Sequence, residues 1–146
     1  MMKSIFCLEL FTRCIFGGNE YLDQRDELQQ PKPIIEYQEE LTLEATYYTA
    51  FCPTGCIGIT KTGHDVKNRI SVDGKRVVAV DPKIITLYSE LEITMPDGQK
   101  IQAIALDTGG DIKGNRIDIL VKTRTEAYKL GRHDVKVKIT KKGEKK

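Results

Sequence analysis

The sequence predicts a mainly β domain that closes into a small barrel. Three observations support this: several short segments alternate apolar and polar residues, turn residues separate them, and helical periodicity is confined to short stretches. Alternation with a period of two places successive side chains on opposite faces of a strand. Antiparallel neighbours dominate the pattern, and closing such a sheet removes its unpaired edges.

Six segments are predicted to be strands. They are residues 41–48, 76–80, 91–95, 101–105, 117–121 and 135–139. The first alternates Leu41, Leu43 and Ala45 with polar residues, which indicates a half-buried strand. The third and fourth flank Pro96-Asp97-Gly98, a strong hairpin signal. The last carries Lys136 and Lys138 on one face.

Short helices are predicted at both ends of the chain. Residues 1–16 have apolar residues at helical spacing, and a second short helix follows before the Pro31-Lys32-Pro33 linker. Thr123 or Thr125 is expected to cap a helix that runs through residue 128. The predicted domains are therefore a helical N-terminal extension with its linker (1–33), a barrel domain (34–140) and a basic tail (141–146).

Charge divides the chain in a similar way. The formal net charge of +2 is the sum of −5 in residues 1–50, zero in 51–120 and +7 in 121–146. The Lys-rich end is interpreted as a solvated tail or as a contact for anionic wall polymers, because it lacks the aromatic residues and motifs typical of nucleic-acid binding. No apolar run approaches the ~20 residues of a membrane span.

Cys52 and Cys56 form the other conspicuous pair, across a predicted turn. Cys-x3-Cys is a weak zinc signal without a second pair of ligands, so neither a metal nor a cofactor is predicted. We expect two reduced, packed thiols, with a disulfide as the alternative in an oxidising environment.

Three aspartates at or near strand ends are the candidate catalytic residues: Asp81, Asp107 and Asp118. Burial and neighbouring carboxylates both raise the pKa of a carboxyl group, which allows an acid to keep its proton near neutral pH. Turn and cap roles are the alternative for Asp81 and Asp107, because aspartate is favoured in both.

The sequence Asp107-Thr108-Gly109 also suggests an aspartic protease, in which two such loops share a proton. A chain of this size would then act as a homodimer. The polar stretch that follows, residues 110–116, is unusual for that class, so this is the third hypothesis.

The longer run of residues 103–119, AIALDTGGDIKGNRIDI, resembles the three-aspartate (3D) domain of bacterial cell-wall proteins. These proteins are related to stationary-phase survival proteins and to the membrane-bound lytic transglycosylase A family. Residues 45–50, 58–63, 78–82 and 131–137 also agree with the pattern, so the resemblance covers roughly residues 42–139. It implies a six-stranded double-psi β-barrel.

The resemblance also implies an activity: cleavage of the MurNAc–GlcNAc bond of peptidoglycan with formation of a 1,6-anhydro ring. One carboxyl group suffices, acting first as acid and then as base. Asp118 matches the acid/base of this family, and Asp107 and Asp81 match its neighbours.

The substrate-binding residues implied by the resemblance lie around these aspartates. Tyr48 and Thr49 match positions beside the sugar groove, Thr108 and Gly109 belong to the glycine-rich loop, and Lys113 and Arg116 are candidates for contact with peptide or lactyl carboxylates. The alternative for Lys113 and Arg116 is a solvated loop.

The implied partner is therefore the glycan strand of peptidoglycan. A non-catalytic glycan-binding or phage structural module on the same barrel is the second hypothesis. The protein is expected outside the cell or in the wall. Because residues 1–16 fit an amphipathic helix better than a secretion signal, a phage product is the alternative. The sequence leaves a homodimer open.

Overall fold

The computed structural model describes residues 39–53 and 55–144. Nine strands and one helix occupy this part of the chain. The strands are β1 (Glu40–Thr49), β2 (Phe51–Cys52), β3 (Cys56–Ile57), β4 (Ser71–Val72), β5 (Lys75–Val80), β6 (Glu90–Thr94), β7 (Lys100–Asp107), β8 (Arg116–Val121) and β9 (His133–Lys141), and the helix is α1 (Arg124–Leu130). The helices and linker predicted in residues 1–33 lie outside the described residues.

Six of these strands close into a barrel. Their order is β5-β7-β6-β9-β1-β8, and β8 pairs with β5 to complete the ring. Two neighbouring pairs are parallel, β1 with β8 and β5 with β7, and the other four are antiparallel. The mainly β, six-stranded double-psi barrel predicted from the sequence is thereby confirmed. Each of the six predicted strands forms one strand of this barrel.

The barrel interior is filled by one set of alternate residues, and a second cluster packs on the other face of the same strands. Val78 and Ile119 belong to the interior, while their chain neighbours Val77 and Leu120 belong to the second cluster. All four are at most 1% exposed. Burial of both faces explains why residues 77–80 and 119–121 are continuously apolar instead of alternating.

The helix begins after one of the two predicted caps and ends at Leu130, two residues beyond the predicted end. The Thr123 hydroxyl accepts a hydrogen bond from the amide of Glu126 at 3.1 Å, which selects Thr123 as the cap over Thr125. Gly131 ends the helix with φ of 66°, a conformation that favours glycine.

The expectation of reduced cysteines is wrong. Cys52 and Cys56 form a disulfide, with their Cα atoms 5.1 Å apart. The physical reason is the β2–β3 ladder, in which Cys52 lies directly opposite Cys56. Directly opposed residues of an antiparallel pair have Cα atoms at a separation that a disulfide spans. Strands of two residues are too short to show alternation, so this ladder could not be predicted from the residue pattern.

The basic end of the domain is mostly strand. β9 extends through Lys141, and Lys136 on its basic face pairs with Glu40 at 3.5 Å.

Within the described residues, no helix is long and apolar enough to cross a membrane.

Candidate active site

The ends of β1, β7 and β8 open onto a groove of about 470 Å³. The loop that follows β7 and the β2–β3 hairpin form its other walls. Six of the predicted site residues line it: Tyr48, Thr49, Asp107, Thr108, Gly109 and Asp118. The other three, Asp81, Lys113 and Arg116, do not line this groove.

Asp118 lies within β8, half-buried, with its side chain toward the groove. Its Oδ1 accepts a hydrogen bond of 2.9 Å from the hydroxyl of Thr46, the residue opposite it in the parallel β1–β8 pair. Among the described residues, no group donates a hydrogen bond to its Oδ2, which leaves that oxygen available to a ligand.

The pKa of Asp118 is raised above its ordinary value of 3.8. Burial is the largest cause, and the negative charge of Asp107 adds to it. The Thr46 hydrogen bond and the positive charges of Arg116 and Arg132 act in the opposite direction. The net direction favours the protonated acid, as expected of a group that donates a proton.

Asp107 ends β7, and both of its carboxylate oxygens are engaged. Oδ1 accepts from the amides of Lys61 and Thr108, at 2.8 and 2.9 Å, and Oδ2 accepts from the hydroxyl of Tyr48 at 3.2 Å. Two backbone donors and one phenol hold the carboxylate in place. This arrangement fixes the orientation of the carboxylate and leaves each of its oxygens with a hydrogen-bond donor.

Tyr48 is a stable donor to that carboxylate. Burial, together with its contact with Asp107, raises the pKa of the phenol well above its ordinary value of 10.0, so the hydroxyl keeps its proton. Its ring packs against the second apolar cluster. Its neighbour Tyr47 lies on the opposite face of β1 and packs against the barrel interior. The hydroxyl of Tyr47 lies 3.0 Å from Nε2 of His133.

Asp81 performs a different task from the other two aspartates. It is only 7% exposed, and its two oxygens accept hydrogen bonds from the amides of Lys83 (3.0 Å) and Gly114 (2.9 Å). These bonds lower its pKa below the ordinary value. The carboxylate thus ties the end of β5 to the loop before β8, which is the turn and cap role named as the alternative. Its role as a catalytic neighbour of Asp118 stays a prediction.

Lys113 lies on the loop that Asp81 anchors, and Arg116 is the first residue of β8. Lys113 helps to lower the pKa of Asp81. Arg116 donates a hydrogen bond to the carbonyl of Asp111 at 3.1 Å and lies 3.8 Å from a carboxylate oxygen of Glu44. Contact of either side chain with a substrate carboxylate stays a prediction.

Gly109, the second residue of the loop after β7, lines the groove and packs tightly against Ile112. A Cβ on Gly109 would lie 2.6 Å from Cγ1 of Ile112, which is itself 6% exposed. Only glycine fits here without displacing Ile112. On the opposite wall, the Thr49 hydroxyl donates to the carbonyl of Phe51 at 2.7 Å and so orients the start of the hairpin.

Two contributors to the site were not found from the sequence. Thr46 holds Asp118, and the backbone amide of Lys61 holds Asp107. Thr46 lies two residues before Tyr48 and therefore on the same face of β1, but only the parallel register with β8 places it opposite Asp118. A backbone donor leaves no trace in residue identity, so Lys61 carried no signal.

Within residues 39–53 and 55–144, no group of three or more His, Cys, Asp or Glu side chains is arranged to hold a metal ion. The chemistry that the groove offers is that of a carboxylic acid beside a fixed carboxylate.

Comparison with known proteins agrees with the resemblance noted in the sequence. The 3D domain family matches residues 76–141, which span β5 through β9 and include all three candidate aspartates. The Asp107-Thr108-Gly109 sequence lies inside this match, so it is explained without an aspartic protease.

Two curated relatives come from Bacillus subtilis strain 168. The SPbeta prophage-derived uncharacterized protein YorM is 55% identical over 93 residues, which are 64% of this chain and 39% of YorM. The cell wall-binding protein YocH is 40% identical over 104 residues, 71% of this chain and 33% of YocH. The chain therefore matches little more than a third of the length of either relative.

Among solved structures, MltA from E. coli aligns with 58% of this chain and 28% of its own, at 26% identity and a TM-score of 0.44. The matched segment includes most of the closed barrel. Residues 76–141 of this chain are thus similar to the 3D domain family.

Proposed function

We propose that the protein is a peptidoglycan lytic transglycosylase that cleaves the bond between MurNAc and GlcNAc. The observation that carries this proposal is the difference between the two carboxyl groups in the groove. Asp107 has hydrogen-bond donors on both oxygens, whereas Asp118 has one donor and a second oxygen open to the groove. One carboxyl group is thus fixed and the other is available for proton transfer.

In this proposal Asp118 performs both proton transfers. Its protonated carboxyl group gives a proton to the glycosidic oxygen, and GlcNAc leaves as an alcohol. The carboxylate then takes the proton of the C6 hydroxyl of MurNAc while that oxygen attacks C1, which closes the 1,6-anhydro ring. The acid is regenerated and no water is consumed, so the second water-activating carboxylate of an inverting glycosidase is not required.

The neighbours of Asp118 favour this sequence of states. Burial and the charge of Asp107 keep the proton on Asp118 before the reaction, and the fixed carboxylate of Asp107 stabilises positive charge that develops on the sugar ring. Thr46 then stabilises the carboxylate form of Asp118 through its hydrogen bond.

The test compares wild type with Asp118→Asn on purified sacculi. We expect the wild type to release soluble muropeptides and Asp118→Asn to release them at least 100-fold more slowly. Asp97→Asn is the matched control, because Asp97 lies in the β6–β7 hairpin and, among the described residues, accepts a hydrogen bond from the amide of Gln99 alone. Equal release by all three proteins would refute the proposal.

A second candidate function is binding of wall glycan without cleavage. It is favoured by the relative named as a cell wall-binding protein. In that case the protein would sediment with sacculi and release nothing, and Asp118→Asn would bind as the wild type does. In either case we propose that the protein acts at the bacterial cell wall; its prophage-derived relative is consistent with a phage origin.

A further inference from the structure

A second groove, of about 410 Å³, adjoins the first and shares Tyr48, Thr49 and Cys56 with it. Its far wall is α1 and the start of the following loop. Its lining residues there are Arg124, Ala127, Tyr128, Gly131 and Arg132. Thr46, which holds Asp118, lines it too. We refer to it as the arginine groove.

Two arginines line the arginine groove, and neither forms a buried ion pair within the described part of the chain. Among the described residues, Arg124 forms no ion pair; it lies 3.3 Å from the hydroxyl of Tyr128 and 6.0 Å from the centre of that ring. Arg132 is 69% exposed and lies 3.5 Å from Glu44, a carboxylate that it shares with Arg116. An exposed pair of this kind contributes little to stability, so a ligand carboxylate can replace it.

The other walls suit an extended, amide-containing chain. Ala127 and Gly131 are small and leave room against α1, and Tyr128 presents a ring that is 76% exposed. The disulfide-bonded hairpin closes the opposite side through Cys52 and Cys56. Arginine is the residue best suited to a carboxylate, because its planar fork makes two parallel hydrogen bonds.

We propose that the arginine groove binds the acidic peptide branch of the glycan substrate, with Arg124 as the principal contact for a peptide carboxylate. This inference rests on the proposed function. The peptide branch leaves the sugar chain beside the bond that is cut, and the two grooves meet at Tyr48 and Thr49. A strand held at Asp118 can therefore direct its branch into the arginine groove. The contact makes the protein selective for glycan that still carries acidic peptides.

The test measures dissociation constants in the Asp118→Asn protein, which prevents turnover. Two ligands are compared by calorimetry: GlcNAc–MurNAc-peptide with free carboxylates, and the same molecule with its peptide carboxylates amidated. We expect the free acid to bind about tenfold more tightly, and Arg124→Gln to reduce this ratio to about one. Lys129→Gln, which changes a lysine elsewhere on α1 and outside the groove, should keep the tenfold ratio.

The outcomes separate this inference from the proposed function. Equal affinity for the two ligands in the Asp118→Asn protein, or an unchanged ratio in Arg124→Gln, would overturn the inference while leaving glycan binding and cleavage intact. Failure to bind either ligand, together with failure of the wild type to act on sacculi, would overturn both. Circular dichroism of Arg124→Gln confirms that the altered ratio is not due to misfolding.

Discussion

The hydroxyl of Thr46 donates a 2.9 Å hydrogen bond to Oδ1 of Asp118 across the parallel β1–β8 pair. This bond favours the charged carboxylate, whereas burial and Asp107 favour the neutral acid. The balance between these effects sets the pH range in which Asp118 can act as an acid. Substitutions of these residues test that balance, and substitution of the cysteines in the neighbouring hairpin tests the role of the disulfide.

Thr46→Val removes the hydrogen bond that lowers the pKa of Asp118, so the pKa rises further. The alkaline limb of kcat/KM, where the proton is lost from the acid, should move to higher pH. The maximal rate should fall about tenfold because the carboxyl group loses its orienting donor. The measurement is a pH–rate profile on soluble glycan strands, with Thr42→Val as the control on the exposed part of β1. A shift to lower pH would contradict the assignment.

Asp107→Asn should move the same limb in the opposite direction. It removes a negative charge that raises the pKa of Asp118, while the amide oxygen of asparagine can still accept from Lys61 and Thr108. The acid is then lost at lower pH than in the wild type. If Thr46→Val and Asp107→Asn shift the profile in the same direction, the electrostatic account of Asp118 is wrong.

Asp118→Asn should stabilise the fold near neutral pH. Since the folded pKa of Asp118 lies above its ordinary value of 3.8, the folded state binds the proton more tightly, and stability is lost as pH rises from 3.8 through the folded pKa. Asparagine has no such penalty. Thermal melts at pH 7 should give a higher Tm for the variant, and at pH 3 the difference should vanish. Asp97→Asn should show neither effect, and a lower Tm for Asp118→Asn at pH 7 would contradict the prediction.

The barrel strands were predictable because each either alternates apolar and polar residues or contains an uninterrupted apolar run. β2, β3 and β4 were missed, since strands of two residues have no periodicity to detect. The disulfide was missed for the same reason, because it depends on the β2–β3 register.

Part of the site was predictable as well. The resemblance and the strand ends were enough to place Asp107 and Asp118 in one groove. They were not enough to separate Asp81 from them, because its role depends on which backbone amides it meets, those of Lys83 and Gly114. The role of Thr46 depends on the register between β1 and β8, which brings it opposite Asp118, 72 residues further along the chain.

The disulfide should stabilise the hairpin rather than the barrel. β2 and β3 form a sheet of their own, separate from the barrel sheet, and the bond closes a loop of only a few residues. In the double variant Cys52→Ser, Cys56→Ser, amide hydrogen exchange should accelerate in residues 51–57, while the barrel strands keep their protection. Dithiothreitol should reproduce this in the wild type and change nothing further in the variant. Faster exchange throughout the barrel would contradict the prediction.

In the proposed reaction, Asp118 activates the C6 hydroxyl of MurNAc, and this hydroxyl attacks C1 in place of water. The most direct test is digestion of sacculi in H₂¹⁸O, followed by mass spectrometry of the released muropeptides. We expect wild type and Asp97→Asn to release anhydro-muropeptides, which are one water lighter than hydrolysis products and carry no ¹⁸O at C1. We expect Asp118→Asn not to release them. Reducing ends that carry ¹⁸O, or anhydro products undiminished in Asp118→Asn, would contradict the proposed reaction.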